Sequence, residues 1–366
     1  MHALKRFGTA FGGYKMMENY PVPECGPDDI ILEIKAAAIC GADMKHWGVD
    51  NGYDDTNITP DQQQSVRGHE FAGEIVKVGE NVKDWHIGQR VVSDNSAHVC
   101  GVCPACEQGD FLCCEHKVNL GLDNNTWGGG FSKYCKVPGE ILAIHKHAIW
   151  EIPEGIKYEE ACVLDPICNA YKAVAQQSHL IPGQDVVVFG TGPLGLFSVQ
   201  VAKLMGAVNI VMVGLDDDVK VRFGVAKELG ATHCVNGSKE DVVARCTEIC
   251  GRDNLGLVIE CSGANIALKQ AIEMTRPNAE IVRFGMGFKL LESEINDITA
   301  WNKSIIGHMA YDSTSWRNCI RLLQSGQIKV QPMITHRLGL SQWQEGFDKM
   351  AKKEAIKVIF HYDYED

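Results

Sequence analysis

The sequence feature that most constrains the fold is a glycine turn between an apolar strand and a helix. Gly190, Gly192 and Gly195 come directly after the strand-like segment Asp185–Phe189 and open a helical segment. Glycines at this spacing permit a tight turn and let a pyrophosphate reach the backbone N–H groups at the helix N-terminus. In this context the pattern predicts a dinucleotide site, with a tight turn without a ligand as the alternative. The residues expected to contact the dinucleotide are Gly190, Gly192, Pro193, Leu194 and Gly195.

Strand-like and helical segments alternate on the carboxyl side of the glycine turn. Asn209–Val213, Leu257–Glu260 and Glu280–Phe284 have the apolar character of buried strands, whereas Lys220–Leu229 and Ile266–Met274 have helical spacing. Because β–α–β connections form parallel sheets, this half predicts an α/β domain with a doubly wound parallel sheet. The first part of the chain is strand-like and rich in turn residues, which predicts an irregular β domain.

The composition is that of an ordinary globular protein with an acidic surface. The chain has 366 residues, of which 45% are apolar and 22% charged, and 35 basic residues stand against 47 acidic ones. The formal charge of −12 argues against nucleic acids and anionic membranes as partners. The N-terminal segment lacks the apolar core of a signal peptide, so we expect a cytoplasmic protein whose cysteines stay reduced.

Four closely spaced cysteines predict a structural zinc site. Cys100, Cys103, Cys106 and Cys114 lie in one loop, and four thiolates can close a tetrahedron around a zinc ion. Chance spacing in a cysteine-rich chain and disulfides are the alternatives, and a reducing compartment disfavours disulfides. Cys113 lies beside Cys114 and competes with it as the last ligand. A closed site of this kind has no open position, so we expect it to stabilise a lobe and take no part in catalysis.

A second candidate metal site combines residues that are distant in sequence. Cys40, His69 and Glu70 supply a thiolate, an imidazole and a carboxylate, which are typical zinc ligands. Ligands from separate segments are typical of a catalytic zinc with an open position. From the spacing alone, a cysteine and a histidine buried in the core are the more common explanation. Asp165 is a further carboxylate candidate, with a helix cap as its alternative role.

An acidic run follows the second strand of the α/β half. That strand ends at Gly214, where dinucleotide-binding folds commonly carry an acid for the ribose hydroxyls. Asp216, Asp217 and Asp218 follow, and Asp216 is the best candidate for that contact. The same acids suit the first turn of a solvated helix. Three carboxylates would repel the 2′-phosphate of NADP, which favours NAD, whereas the nearby Arg222 weakens that preference.

Taken together, these motifs resemble the zinc-dependent medium-chain alcohol dehydrogenase family, particularly its polyol (sorbitol or L-iditol) and threonine dehydrogenase branches. The resemblance covers essentially the whole chain. It rests on residues 40–43 (CGAD), 68–79 (GHEFAGEIVKVG), the four-cysteine lobe, 129–134 (GGFSKY), the glycine turn and 226–231 (AKELGA).

The resemblance implies a domain organisation and a set of ligands. A β-rich, GroES-like catalytic domain would comprise residues 1–160 and 310–366, with a zinc lobe at about 95–118, and a Rossmann domain would comprise 161–309. Each chain of a homodimer or homotetramer would hold one catalytic and one structural zinc. Cys40 and His69 would bind the catalytic zinc together with Asp165 or Glu70, since Glu70 can ligate directly or act through another ligand.

The reaction implied is hydride transfer from an alcohol to NAD. Zinc would lower the pKa of the substrate hydroxyl group, and the nicotinamide would accept the hydride. The family normally has Ser or Thr two residues after the zinc cysteine, and often a histidine five residues after it, and together these carry the alcohol proton. Here these positions are Ala42 and Lys45, and His46 is displaced by one. The proton then needs water, a substrate hydroxyl group, Lys45, His46 or Glu70, although Lys45 and His46 are alternatively a solvated pair.

The substrate class that we expect is a polyol or sugar. The loop between Cys40 and His69 is polar, which suits a hydroxyl-rich ligand because polar groups in a site must be paired. An ordinary surface loop is the alternative interpretation of these polar residues. The polar residues of the loop between Cys40 and His69 are Asp50, Asn51, Asp54, Asp55 and Asn57. Two other functions stay open: a threonine-type amino-alcohol dehydrogenase, and a non-catalytic dinucleotide-binding protein, which only Ala42 favours.

Overall fold

The computed structural model describes residues 1–6, 13–44, 47, 66–123, 126–287, 289–292 and 295–365. The chain forms two compact units: one comprises Met1–Asp165, Asp312–Ile320 and Ile334–Asp366, and the other comprises Pro166–Tyr311 and Arg321–Met333. The family resemblance implied that 310–366 belongs entirely to the first unit, whereas Arg321–Met333 belongs to the second. The side-chain amide of Gln200 holds this segment by bonding to both the N–H and the C=O of Lys329, at 2.8 and 3.0 Å.

The described residues form seventeen strands. In chain order they are β1 (Ala3–Arg6), β2 (Tyr14–Met17), β3 (Ile30–Ala38), β4 (Glu70–Val78), β5 (Arg90–Ser93), β6 (Ser96–His98), β7 (Val118–Asn119), β8 (Tyr134–Val137), β9 (Ile149–Glu151), β10 (Asp185–Phe189), β11 (Ile210–Gly214), β12 (His233–Asn236), β13 (Leu255–Glu260), β14 (Glu280–Arg283), β15 (Ser304–Gly307), β16 (Ile334–Gly339) and β17 (Lys357–His361).

Twelve α-helices lie within the described ranges, and none is both long and apolar enough to cross a membrane. They are α1 (Gly41–Met44), α2 (Pro104–Glu107), α3 (Gly139–Ile144), α4 (Tyr158–Ala161), α5 (Leu164–Tyr171), α6 (Pro193–Leu204), α7 (Arg222–Leu229), α8 (Val242–Cys250), α9 (Asn265–Met274), α10 (Asn296–Ala300), α11 (Ser313–Gln324) and α12 (Trp343–Ala351). The π-helical turn Lys172–Gln177 extends α5, and 3₁₀ turns occupy Phe111–Cys113, Asp216–Asp218, Gln331–Met333 and Leu340–Gln342.

The first unit is built around a mainly antiparallel sheet of seven strands. Its order is β16-β17-β3-β4-β5-β9, with β8 paired to β3 outside this path. The central strand β3 is almost entirely buried, because its apolar residues face the core and only Glu33 and Lys35 reach partly into solvent. Aromatic side chains fill the core beside it: Phe71, Phe131, Phe347 and Phe360 are all 2% exposed or less.

The second unit is built around a parallel sheet of six strands. Its order, β12-β11-β10-β13-β14-β15, starts from β10 and runs outward in both directions, which is the strand order of doubly wound dinucleotide-binding folds. Every residue of β10, β11 and β13 is buried, as expected for parallel strands covered on both faces. The predicted α/β domain with a doubly wound parallel sheet is therefore confirmed.

Candidate metal centres and dinucleotide site

The antiparallel pairing of β3 with β4 brings Cys40 next to His69 and Glu70. Glu70 opens β4 beside the last residue of β3, and Cys40 follows β3 two residues later. His69 comes directly after Gly68, whose φ of 90° is a conformation that glycine adopts readily. A Cβ added to Gly68 would lie 2.6 Å from the ring of Phe131. Gly68 therefore fixes the direction in which the chain enters β4.

The three side chains form a cluster that fits a metal ion, in which His69 and Glu70 are buried and Cys40 is partly exposed. One candidate ligand atom from each of Cys40, His69 and Glu70 lies within 4.8 Å of the others. His69 Nδ1 and Glu70 Oε1 are buried and have no hydrogen-bond partner within the described part of the chain, although buried polar atoms normally have one. Burial raises the pKa of the Cys40 thiol, a shift that a cation would reverse. A thiolate, an imidazole and a carboxylate at these distances are a donor set for zinc.

Lys357 is a residue of this site that the sequence analysis missed. It opens β17, is 1% exposed, and donates hydrogen bonds to Glu70 Oε2 and, at 3.1 Å, to the Ile39 carbonyl. Burial disfavours the ammonium, but the adjacent Glu70 carboxylate raises the pKa of Lys357 above its ordinary value. A signal was present in the sequence: a lysine inside the otherwise apolar segment 356–360 requires a partner when it is buried.

Asp165 lies outside the cluster that unites Cys40, His69 and Glu70. It is in the first turn of α5, and its Oδ2 accepts a hydrogen bond of 3.0 Å from Asn95 Nδ2. Its charge still contributes to the raised pKa of Cys40, after the larger effect of burial. The structure thus places Glu70 rather than Asp165 beside the thiol and the imidazole, and it places Asn95 beside Asp165.

The four cysteines of the lobe also come together. Cys100, Cys103, Cys106 and Cys114 have sulfur atoms within 4.8 Å of one another. The backbone N–H groups of Cys100 and His116 both donate to Cys114 Sγ at 3.4 Å. All fifteen cysteines lie in the described ranges and are free thiols, and Cys113 is exposed outside this group. Cys114, and not the adjacent Cys113, is therefore the fourth cysteine of the cluster.

An aromatic contact attaches the cysteine lobe to the rest of the first unit. Phe111, between Cys106 and Cys114, packs on the ring of His145 with 4.2 Å between ring centroids. His145 in turn bonds through Nε2 to Asp94 Oδ2 at 2.6 Å, and both side chains are 5% exposed. The lobe is therefore anchored by a packed and hydrogen-bonded base as well as by its cysteines.

The glycine turn connects β10 to α6 as expected. Gly190 has a φ of 97°, and a Cβ at Gly195 would lie 1.9 Å from the Gly190 carbonyl oxygen. By contrast, a Cβ at Gly192 would meet nothing within 4 Å. Gly192 is the N-cap of α6, and Pro193 and Leu194 form its first turn. The turn therefore leaves open space in front of the helix N-terminus, where a pyrophosphate can approach the backbone.

The acidic run separates into two environments. Asp216 is half exposed and faces β12, where it accepts from Asn236 Nδ2 at 2.7 Å and pairs with Lys239 at 3.2 Å. Asp218 is buried; its Oδ2 accepts from the Leu215 N–H at 2.8 Å, and its Oδ1 lies 3.6 Å from Arg222 Nη1. The sequence favoured Asp216 for the ribose contact, whereas the carboxylate beside the end of β11 is that of Asp218.

Two predicted site residues, Lys45 and His46, lie outside the described residues, as does the polar loop from Asp50 to Asn57.

Comparison with known proteins identifies the family. Residues 26–147 match the model of the alcohol dehydrogenase GroES-like domain, and residues 193–325 match that of the zinc-binding dehydrogenase. A zinc-type alcohol dehydrogenase-like protein of Escherichia coli K12, YdjL, is 76% identical over the full length of both chains. D-arabitol-phosphate dehydrogenase of Enterococcus avium is 30% identical over 97% of this chain and 96% of that protein.

Two further matches also extend over nearly the whole chain. L-threonine 3-dehydrogenase of Rhizobium rhizogenes is 31% identical over 94% of both proteins. The crystal structure of 2R,3R-butanediol dehydrogenase from Bacillus subtilis covers 99% of both chains with a TM-score of 0.84 and 29% identity. The two candidate metal clusters and the glycine turn thus occur in a chain that is similar, over nearly its full length, to these dehydrogenases. The chain belongs to the zinc-type medium-chain alcohol dehydrogenase family and is an NAD(P)-linked alcohol dehydrogenase with a GroES-like and a Rossmann domain.

Proposed function

We propose that this enzyme oxidises a secondary hydroxyl group of a polyol or sugar and transfers the hydride to NAD. The observation that carries the proposal is the cluster of Cys40, His69 and Glu70, in which His69 Nδ1 and Glu70 Oε1 are buried without a hydrogen-bond partner among the described residues. The substrate class is supported by relatives named for a polyol phosphate and a diol. The threonine dehydrogenase relative supports the alternative of an amino alcohol.

Each group of the site has a proposed role. Cys40, His69 and Glu70 would hold the catalytic zinc, which when bound acts as a Lewis acid on the substrate hydroxyl group. Lys357 keeps Glu70 Oε2 occupied, which would leave Oε1 available as a zinc ligand. The glycine turn and the N-terminus of α6 would hold the pyrophosphate of the cofactor. Ala42 has no hydroxyl group, so the alcohol proton would leave through water, a substrate hydroxyl group, Lys45, His46 or Glu70.

The second metal cluster has a structural role in this proposal. Cys100, Cys103, Cys106 and Cys114 supply four sulfur ligands and leave no open position for a substrate. Each chain would therefore bind two zinc ions, of which only one is catalytic. His69→Ala should abolish turnover and leave one zinc per chain, whereas the matched surface variant His86→Ala, at an exposed position outside both clusters, should keep both zinc ions and activity.

We also propose that two chains associate through the sheet of the second unit. Strand β15 pairs with β14 on one side only, within the described residues, and three of its four residues are exposed. Trp301, Ile305 and Met309 expose 51%, 39% and 49% of their surface around this edge. An exposed strand edge with apolar neighbours favours pairing with another chain. Light scattering should give at least a dimer, and Ile305→Lys should shift it towards the monomer.

The substrate proposal is tested by a panel of linear polyols, polyol phosphates, cyclitols, aldoses, threonine and simple alcohols. Formation of NADH and of NADPH by zinc-loaded enzyme is recorded for each compound. A preference for one polyhydroxylated compound with NAD is the expected result. Activity on threonine or on simple alcohols alone would replace the substrate class and keep the reaction. No activity from protein that holds two zinc ions and binds NADH would contradict the proposed substrate range.

A further inference from the structure

The two-residue turn between β5 and β6 holds Asn95 in an unusual backbone conformation. Asn95 has a φ of 61°, in the left-handed region that asparagine tolerates better than most other residues. Its N–H donates to Ser93 Oγ at 2.9 Å, and its C=O accepts from the Leu120 N–H at 2.7 Å. A residue other than glycine keeps this conformation where its surroundings hold it, and such residues cluster at functional sites. The turn therefore fixes the direction of the Asn95 side chain.

Asn95 bonds to a carboxylate beside the candidate catalytic zinc site. Its Nδ2 donates to Asp165 Oδ2 at 3.0 Å, although the two residues are 70 positions apart in sequence. The negative charge of Asp165 contributes to the raised pKa of Cys40 and of Glu70, after the larger effect of burial. Because a Coulomb interaction changes with distance, the effect of Asp165 on a cation at this site depends on where its carboxylate is held.

Asp94 and His145 hold the same turn from the side of the cysteine lobe. Asp94 Oδ1 accepts from the Ser96 N–H at 3.0 Å, and its Oδ2 bonds to His145 Nε2 at 2.6 Å. Both side chains are buried. The His145 ring in turn packs on Phe111 of the lobe. A continuous path of contacts within the first unit therefore runs from the lobe through this turn to Asp165.

We infer that Asn95 is a positioning residue for Asp165, and that the cysteine lobe acts on the candidate catalytic zinc site through His145 and Asp94. The inference rests on the proposed function, because it assigns these residues to the metal site of the dehydrogenase reaction. Asp165 adds a fixed negative charge beside the bound ion without being one of its ligands. Partners that orient groups around a metal typically change metal affinity or activity about 10–100-fold when they are replaced. The lobe thus contributes to the site without taking part in the chemistry.

The test titrates Co²⁺ into the catalytic zinc site of the full-length protein, with zinc kept in the cysteine lobe, and follows the visible absorption of the bound ion. Asn95→Gly keeps the left-handed turn, because glycine adopts it readily, and removes only the side chain. It should raise the Co²⁺ dissociation constant about 10–100-fold, shift the absorption bands, and lower kcat/KM by a similar factor. Asn81→Ala is the matched control, because Asn81 makes the same kind of bond to Asp28, at 2.9 Å, on the surface. This control should leave the dissociation constant within about twofold.

A double-mutant cycle separates positioning from a general loss of structure. Asp165→Asn removes the charge and keeps an oxygen that can accept from Asn95, and it should weaken Co²⁺ binding by a similar factor. Because Asn95 acts through Asp165, adding Asn95→Gly to Asp165→Asn should cause no further loss. His145→Phe keeps a ring against Phe111 and removes the bond to Asp94, and it should weaken Co²⁺ binding about fivefold.

Unchanged Co²⁺ affinity and absorption in Asn95→Gly, or effects of Asn95→Gly and Asp165→Asn that add in full, would overturn the positioning role. Wild-type affinity in His145→Phe would overturn the part assigned to the lobe. His145→Phe, which lies outside the turn, provides the second measurement should Asn95→Gly fold poorly. A wild-type protein that takes up no Co²⁺ outside the lobe would contradict the proposed function together with this inference. If the wild type binds Co²⁺ there and only the variants behave otherwise than stated, the inference alone fails.

Discussion

Replacement of Lys357 by methionine should strongly destabilise the metal-free protein. Lys357 and Glu70 are 287 positions apart in sequence, and both side chains are essentially buried, at 1% and 0% exposure. Methionine has a similar length and fills much of the same volume, but it removes the charge and the bonds to Glu70 and to the Ile39 carbonyl. The substitution therefore tests the ion pair with little change in packing.

The expected loss of stability follows from the burial of Glu70, which remains without its partner in this variant. Breaking a buried ion pair by removing one member costs about 3–5 kcal/mol, because the other charge stays buried and unpaired. In a domain of roughly 150–250 residues, each kcal/mol lowers Tm by about 2–4 °C, so the metal-free variant should melt about 6–20 °C lower. Zinc at the cluster would partly replace the missing positive charge, so the loss should be smaller in the zinc-loaded protein.

The assay is thermal unfolding with and without a chelator, followed by circular dichroism. Lys349→Met is the matched control, because Lys349 lies 3.9 Å from Glu345 and from Glu354 and its side chain is 27% exposed. A surface pair of this kind is worth about 0–1 kcal/mol. Lys357→Met with Glu70→Gln should recover part of the loss, because no charge then remains unpaired. A metal-free Lys357→Met protein that melts within about 2 °C of the wild type would refute this reasoning.

Three further predictions concern other parts of the chain. Cys106→Ser should lower the zinc content measured by mass spectrometry from two ions per chain to one, whereas Cys113→Ser, at an exposed position, should keep both. Burial, assisted by Lys172, lowers the pKa of His308 from 6.5 to about 3. The contribution of neutral His308 to stability is therefore present above pH 6.5 and is lost as the pH falls towards 3. His308→Gln should flatten the acid side of a curve of stability against pH. Ala42→Ser restores a hydroxyl group near Cys40 and should change the pH dependence of kcat, and an identical profile would exclude an altered proton relay.

Local features of the fold could be predicted from the sequence. The segment Asp185–Phe189 was predicted as a strand and has those bounds in β10, because a continuous apolar run ended by glycine has few other solutions. Strands β12 and β15 were not predicted, because each has only four residues and their pairing partners stabilise them.

The sites depend on contacts of different range. The cysteine lobe lies within 15 residues, so the spacing itself suggested the ligand set. The Cys40 cluster could be anticipated only through the family resemblance, because nothing in the local sequence states that β3 and β4 pair there. Asp216 and Asp218 have the same side chain and lie two positions apart. Only the course of the turn makes Asp216 exposed and Asp218 buried.

The sequence by itself determined the alternation of strands and helices, the glycine turn and the cysteine lobe, because these depend on neighbours within a few residues. Only the tertiary structure decided that Lys357 on the last strand bonds to Glu70 on the fourth strand. It also decided that the carboxylate of Asp218 lies beside Gly214 at the end of β11. Both contacts depend on which strands lie side by side and on how each turn fills the space at a strand end. These contacts cannot be read from the order of residues along the chain, because they form only when the whole core packs.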